Sequence, residues 1–295
     1  MQQNAYWKWQ LKTAPYAFVA PFAVSFLLFT LMPFVYSIYL SFTNWQGQAE
    51  KTFVGWRNYA HVLQSGDFWN SVFNSAVIFV LYVPVMLLLA LIFAVCLSSG
   101  LMKAKGFFRT VFFIPNITSV VAVSFVFLLI FNTSKGVLNQ LLLAGGLIHS
   151  PIPFLETPWW ARISVALLVI FRWTGYNMIL LLGGLQNIPK SLYEAARVDG
   201  ANALQSFFYI TVPMMKRLLA FCTVLSTLGT FSLFTEPFIL TNGGPAKATT
   251  TPVVLIYKES FQNLNFGYAS TLAMFFFILM MVLSVVQLRL FRDND

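Results

Sequence analysis

Six apolar runs punctuate the chain, at residues 17–40, 73–97, 110–131, 163–185, 218–240 and 269–290. About 20 apolar residues in a helix cover the roughly 30 Å hydrocarbon core of a bilayer, so the pattern predicts six transmembrane helices. The first run follows Lys8 and Lys12, as in a secretory leader. It is too long for one, however, contains Pro21 and Pro33, and has no small-residue cleavage site, which predicts a retained helix. No repeat, low-complexity segment or linker separates the runs. The expectation is therefore one all-α transmembrane domain over residues 1–295.

Between the fourth and fifth runs lies the longest polar insert, residues 187–213, with signals for two short helices. The first can open at Pro189, which suits an initial turn, or at Ser191, where Ser191-Leu-Tyr-Glu194 spells a capping box. Gly200 stands where a left-handed residue would end that helix, and Asn202 with Gln205 repeats the capping logic for a second. The predicted product is helix, glycine turn and helix, closed by Pro213. Ala195, Ala196, Ala201 and Ala203 keep its surface small, so that a partner can approach closely.

Composition agrees with the runs: 58% of the 295 residues are hydrophobic, 9% are charged and mean hydropathy is +0.75. A soluble domain carries about 25% charged residues, so this is an integral membrane protein. The net charge of +9 does not imply nucleic acid, because the cations flank apolar runs instead of sharing one polar face. Lys8, Lys12, Lys103, Lys105, Arg109, Lys190, Arg197, Lys216, Arg217, Arg289 and Arg292 fall on one side of the predicted spans. Lys51, Arg57, Lys135, Arg162, Lys247 and Lys258 fall on the other, and Arg172 lies within a span. Because basic residues favour the cytoplasmic side, both termini and the 187–213 insert are expected in the cytoplasm of a multi-pass cell-membrane protein. Trp45, Trp56, Tyr59, Trp69, Trp159 and Trp160 sit near span ends as interfacial aromatics. Cys96 and Cys222 fall in apolar runs, and His61 and His149 stand alone in loops, so neither a disulfide nor a metal site is indicated.

Glu194-Ala195-Ala196, three residues, Gly200, nine residues and Ile210-Thr211-Val212-Pro213 resemble the Glu-Ala-Ala signature of ATP-binding-cassette (ABC) importer permeases. Val212 departs from the Leu usual there. Two further segments, Phe53-Val-Gly-Trp-Arg-Asn-Tyr59 and Leu240-Thr-Asn-Gly-Gly-Pro245 with Thr249, Thr250 and Thr251, resemble the carbohydrate group of the class, which handles maltose and other oligosaccharides. The resemblance implies a type I importer (MetI-like) permease fold with a cytoplasmic coupling helix. Tyr193, Glu194, Ala195, Ala196, Asp199, Gly200, Ala201 and Pro213 would then contact an ATPase. It further implies a second six-helix permease, two ATPase subunits that use ATP and Mg, and an extracytoplasmic sugar-binding protein. This chain itself would bind no cofactor.

Ionisable groups inside a span usually face protein or water, which singles out Arg172 and Glu236. Around Arg172 cluster Trp173, Tyr176 and Asn177, with Gly184 further along. On the fifth span, Thr223, Thr227, Thr230 and Phe234 form one stripe, and Gly229, Ser232 and Glu236 form its neighbour. Hydroxyl, amide and carboxylate groups beside aromatic rings suit a sugar, with its many hydroxyls and flat C–H patches. Arg172, Trp173, Tyr176, Asn177, Thr227, Thr230, Phe234 and Glu236 are therefore the candidate substrate contacts. Helix packing by small polar residues is the plainer reading of each. Carbohydrate permeases often place Phe-Asp before this Pro, whereas Phe234-Thr235-Glu236-Pro237 moves the acid by one residue, about 100° around a helix.

No phosphate loop, zinc-peptidase or serine-nucleophile motif is present, so no catalytic residue is assigned and ATP hydrolysis falls to another subunit. An ion-coupled secondary transporter would need an inverted repeat and acidic relay residues, and a lipid-acting enzyme would need clustered acids. The nine acids here are scattered. Arg172 keeps a glycerol-phosphate-type substrate open beside a neutral sugar.

Overall fold

The structure is a computed structural model that describes residues 3–48, 50–98 and 104–291. Lys103 and Arg292, two of the cations counted above, lie outside the described residues. Two compact units are present. One takes the chain up to Gln64 with Ile256–Phe276, and the other takes Ser65–Leu255 with the chain from Phe277 onward.

In the smaller unit, α1 (Gln3–Phe26) continues through a wide π turn, Leu27–Leu31, into α2 (Met32–Ser41). The π turn ends two residues before Pro33. Proline lacks the amide that would bond four residues back, and its ring crowds that carbonyl, so a widened turn carries the helix past it. After α2 the chain makes a lone bridge between Thr43 and Phe53 and enters α3 (Arg57–Gln64). Asn58 Nδ2 donates to the carbonyls of Ser41 and Thr43, and the Tyr59 hydroxyl bonds Ser41 Oγ at 2.8 Å. The sugar-type segment 53–59 is thus bonded back onto the end of α2.

The larger unit is built on α4 (Gly66–Ser98) and α8 (Pro158–Leu185). Ile78, Tyr82, Met86, Ala90 and Ala94 recur every four residues on α4 and are all buried. On α8, Ala161, Val165, Leu168, Arg172, Gly175, Met178 and Leu182 recur at three and four. These stripes pack together and form the core with Leu185 and Ile188. Gly175 is required there: a Cβ would lie 1.8 Å from the Phe112 carbonyl oxygen of α5 (Lys105–Ile117).

Two of the six expected spans are not single helices. Residues 110–131 break at Thr118 and Ser119, where α5 and α6 (Val120–Ile130) meet at 94°. Thr118 closes α5 by donating its own amide and hydroxyl to the Ile114 carbonyl, which competes with helix continuation. Residues 218–240 break after α12 (Lys216–Phe231), and α13 (Thr235–Thr241) starts afresh. Pro237 is the cause, because its ring would collide with the carbonyl of Leu233, four residues earlier. That carbonyl instead accepts the Thr251 hydroxyl. Among the described residues, four helices have the length and apolarity to cross a membrane, and up to six spans result if α5 with α6, and Ala203–Met214 with α12, each count as one bent span. The others are the helix through Ser41, α4, α8 and α15 (Phe266–Leu290).

The polar insert folds as α9 (Lys190–Val198) and α10 (Ala203–Ser206), then a π turn, Phe207–Thr211, and α11 (Val212–Met214). Pro189 caps α9 and the Ser191–Glu194 box does not form, because the helix has already begun when the chain reaches Ser191. Gly200 has φ +82 and ends α9 as expected, and Asn202 with Gln205 forms the second box. Pro213 does not close the second helix. The π turn accommodates it, as at Pro33, and the chain bends by 68° only at Met215.

Candidate functional site

Arg172 and Glu236, 64 residues apart, meet: Arg172 Nη1 donates to Glu236 Oε1 at 2.6 Å, with the residues 9% and 4% exposed. An unpaired charge at this depth costs about 2.5–3.5 kcal/mol on insertion scales, and pairing offsets it. The break before α13 makes the contact possible, since it redirects the first turn, which carries Glu236, toward α8. Arg172 Cζ also lies 5.9 Å from the Trp173 ring centroid, and Trp173 stands edge-on to Tyr176 at 5.7 Å. Arg172 Nε is buried without a hydrogen-bond partner.

Beside this pair opens a cavity of about 350 Å³. From α8 it is lined by Arg172, Trp173, Tyr176 and Asn177. Ser226 and Gly229 of α12 face it, with Ser232, Phe234 and Glu236 beyond the break. Tyr82 and Met86 of α4, Val120, the first residue of α6, and Leu225, Leu233 and Thr235 complete the wall. Both helix breaks thus open onto one space, and irregular backbone at membrane depth is tolerated where it lines a cavity.

Six of the eight expected substrate contacts line the cavity. Thr227 and Thr230 do not. Thr230 Oγ1 bonds the Tyr82 hydroxyl at 2.7 Å and donates to the Ser226 carbonyl, while Thr227 Oγ1 donates to Thr223 O and accepts from Gln287 Nε2 at 2.8 Å. These two threonines pack helices, whereas Phe234 at the end of their stripe and Gly229, Ser232 and Glu236 of the neighbouring one meet the cavity. Sequence reasoning passed over Tyr82, Met86, Ser226 and Val120. The signal available for Tyr82 was its phenol in an apolar run, since a buried hydroxyl needs a partner.

The insert presents a different surface. Glu194, Ala195, Asp199, Gly200 and Pro213 are exposed, and Ala196 and Ala201 are half-buried. Tyr193 turns inward, and its hydroxyl lies 3.0 Å from Thr211 Oγ1. Val198, Leu204 and Tyr209 are apolar and largely exposed beside them. The Thr-rich segment after α13 is bonded internally. Asn242 is left-handed at φ 50, and Thr249 and Thr250 donate to the carbonyls of Gly244 and Gly243. Asn74 of α4 and Arg162 of α8 bind its backbone at Lys247, Thr250 and Ala248.

Residues 53–293 match the family described as binding-protein-dependent transport system inner membrane component. The chain belongs to this family. The permease is 38% identical over 280 residues to the lactose transport system permease protein LacF of Rhizobium radiobacter, covering 94% of this chain and 93% of that one. It is 35% identical over 289 residues to the arabinooligosaccharides transport system permease protein AraP of Halalkalibacterium halodurans, covering 96% and 90%. A chain of a bacterial ABC transporter that imports the acidic polysaccharide alginate shares its fold, with a TM-score of 0.82 at 23% identity over 99% of both chains. The permease therefore has the importer fold expected from its Glu-Ala-Ala signature, and its family is one of transport components, not of enzymes.

Proposed function

We propose that the permease imports a neutral sugar, a short oligosaccharide, through the cavity between α8, α12 and α13. The observation that carries this reading is the mutual neutralisation of Arg172 and Glu236, the two charged residues among those lining a cavity whose other walls mix aromatic, hydroxyl and amide groups with the aliphatic side chains of Met86, Val120, Leu225 and Leu233. Phe234, Trp173 and Tyr176 offer faces and edges to C–H patches, and Asn177, Ser226 and Ser232 offer hydrogen bonds to hydroxyls. A phosphorylated substrate needs a free cation, and Arg172 is engaged. The names of the lactose and arabinooligosaccharide relatives support the same class.

The whole chain acts as one transmembrane domain in the cytoplasmic membrane, with both termini and the 187–213 insert in the cytoplasm. It pairs with a second six-helix permease. The exposed face from Glu194 to Ala201, with Pro213 nearby, seats an ATPase that hydrolyses ATP with Mg, and an extracytoplasmic binding protein delivers the sugar. ATP-driven closure of two ATPases shifts the population between inward-open and outward-open cavities. The test is to isolate the tagged chain from its membrane in mild detergent, identify what accompanies it, and assay lactose and arabinotriose uptake by the reconstituted complex. An ATPase, a second permease and uptake of one of the neutral probes are expected. A chain that purifies alone and binds sugar alone overturns the reading.

A further inference from the structure

Tyr193 turns inward from a helix that is otherwise exposed except at the half-buried Ala196. Leu192, Glu194, Ala195, Arg197 and Val198 are exposed, whereas the Tyr193 ring packs against the core that holds Ile188 and Met215. Its hydroxyl reaches Thr211, which is 2% exposed and is the last residue of the π turn. Thr211 Oγ1 also lies 3.4 Å from the Ser206 carbonyl, and the Thr211 carbonyl accepts the Met215 amide at 3.0 Å. Met215 sits under Gly184 of α8, where an added Cβ would lie 3.0 Å from the Met215 methyl. From Met215 the chain enters α12, which carries Ser226 and Gly229 to the cavity about 17–21 Å further on.

We infer that Tyr193 is a positioning residue that passes displacement of α9 to the base of α12 through its hydrogen bond to Thr211. A π turn interrupts the regular helical ladder and is the compliant point of this path. Without the cross-link, α9 moves while the turn absorbs the motion; with it, the 68° bend at Met215 is driven directly. The inference rests on α9 being the seat of an ATPase.

The experiment uses the complete complex in liposomes, with its binding protein and whichever of lactose or arabinotriose the wild type imports. Tyr193→Phe and Thr211→Val each remove one hydroxyl and preserve shape. Sugar imported per ATP hydrolysed should fall roughly two- to tenfold in each, the range set by one ordinary hydrogen bond. The double variant should fall no further, because both changes remove the same contact. Thr211→Ser should restore the wild-type ratio. Hydrogen exchange over residues 207–215 gives a readout independent of the sugar: ATP should alter it in the wild type and not in Tyr193→Phe. An unchanged import ratio in both single variants overturns the inference, as does loss of ATPase binding with the ratio intact, which marks a merely structural contact. If the wild-type chain recovers no ATPase at all, the reading of α9 fails before any variant is made, and the inference fails with it.

Discussion

Arg172 and Glu236 show at the scale of single residues how a charge is kept inside a membrane protein. Their contact at 2.6 Å leaves each dependent on the other, so the two single deletions and the double deletion have different consequences. Removing one partner of a buried pair typically costs about 3–5 kcal/mol, whereas replacing both by apolar groups of similar volume is often neutral. Arg172→Met or Glu236→Leu alone should lower the unfolding temperature of the solubilised complex, and the double variant should regain much of that loss. Sugar import should stay low in the double variant, because Arg172 and Glu236 both line the cavity. Wild-type import by a stable double variant would reduce the pair to a structural strut.

Helix breaks and glycines govern the next scale. Gly175 and Gly200 are both glycines for reasons that differ in kind. At Gly175 a side chain meets the backbone of α5, so Gly175→Ala must push the helices apart; overpacking of this sort costs about 1–3 kcal/mol. At Gly200 nothing lies within 4 Å, and only the left-handed φ of +82 penalises a side chain. Gly200→Ala should therefore cost only about 1–2 kcal/mol locally. Gly200→Trp should insert in the membrane normally and abolish transport by obstructing the seat on α9. Melting and uptake assays separate the two cases, and normal uptake by Gly200→Trp would refute the docking assignment. The sequence made much of this legible: the six apolar runs, the Gly200 stop and the Asn202 cap are local, and local chemistry decided them. It hid whether a proline ends a helix or is carried past it. Pro213 and Pro33 are passed by π turns, while Pro237 ends the helical path, because Thr251, 18 residues beyond Leu233, supplies the partner that the freed carbonyl needs. The same long-range dependence hid the Arg172–Glu236 contact and the engagement of Thr227 and Thr230 with Gln287 and Tyr82.

For the molecule as a whole, the placement of basic residues carries the argument. Many large apolar side chains are exposed, among them Phe18, Phe22 and Phe29 of the first long helix, an arrangement stable only against lipid or a partner subunit. Once the chain is in a bilayer, α8 is long enough to cross it, so Lys135 and Asn187, on either side of that helix, must lie on opposite faces. The excess of Lys and Arg on the side of Asn187 predicts that its face is the cytoplasmic one. Single cysteines at these positions, introduced after Cys96→Ala and Cys222→Ala, report the orientation through a membrane-impermeant maleimide. In right-side-out vesicles Lys135→Cys should be labelled at once and Asn187→Cys only after permeabilisation. The reverse pattern would place the α9 surface away from ATP and end the coupling proposal. Labelling of both from one side would mean that α8 does not cross the membrane.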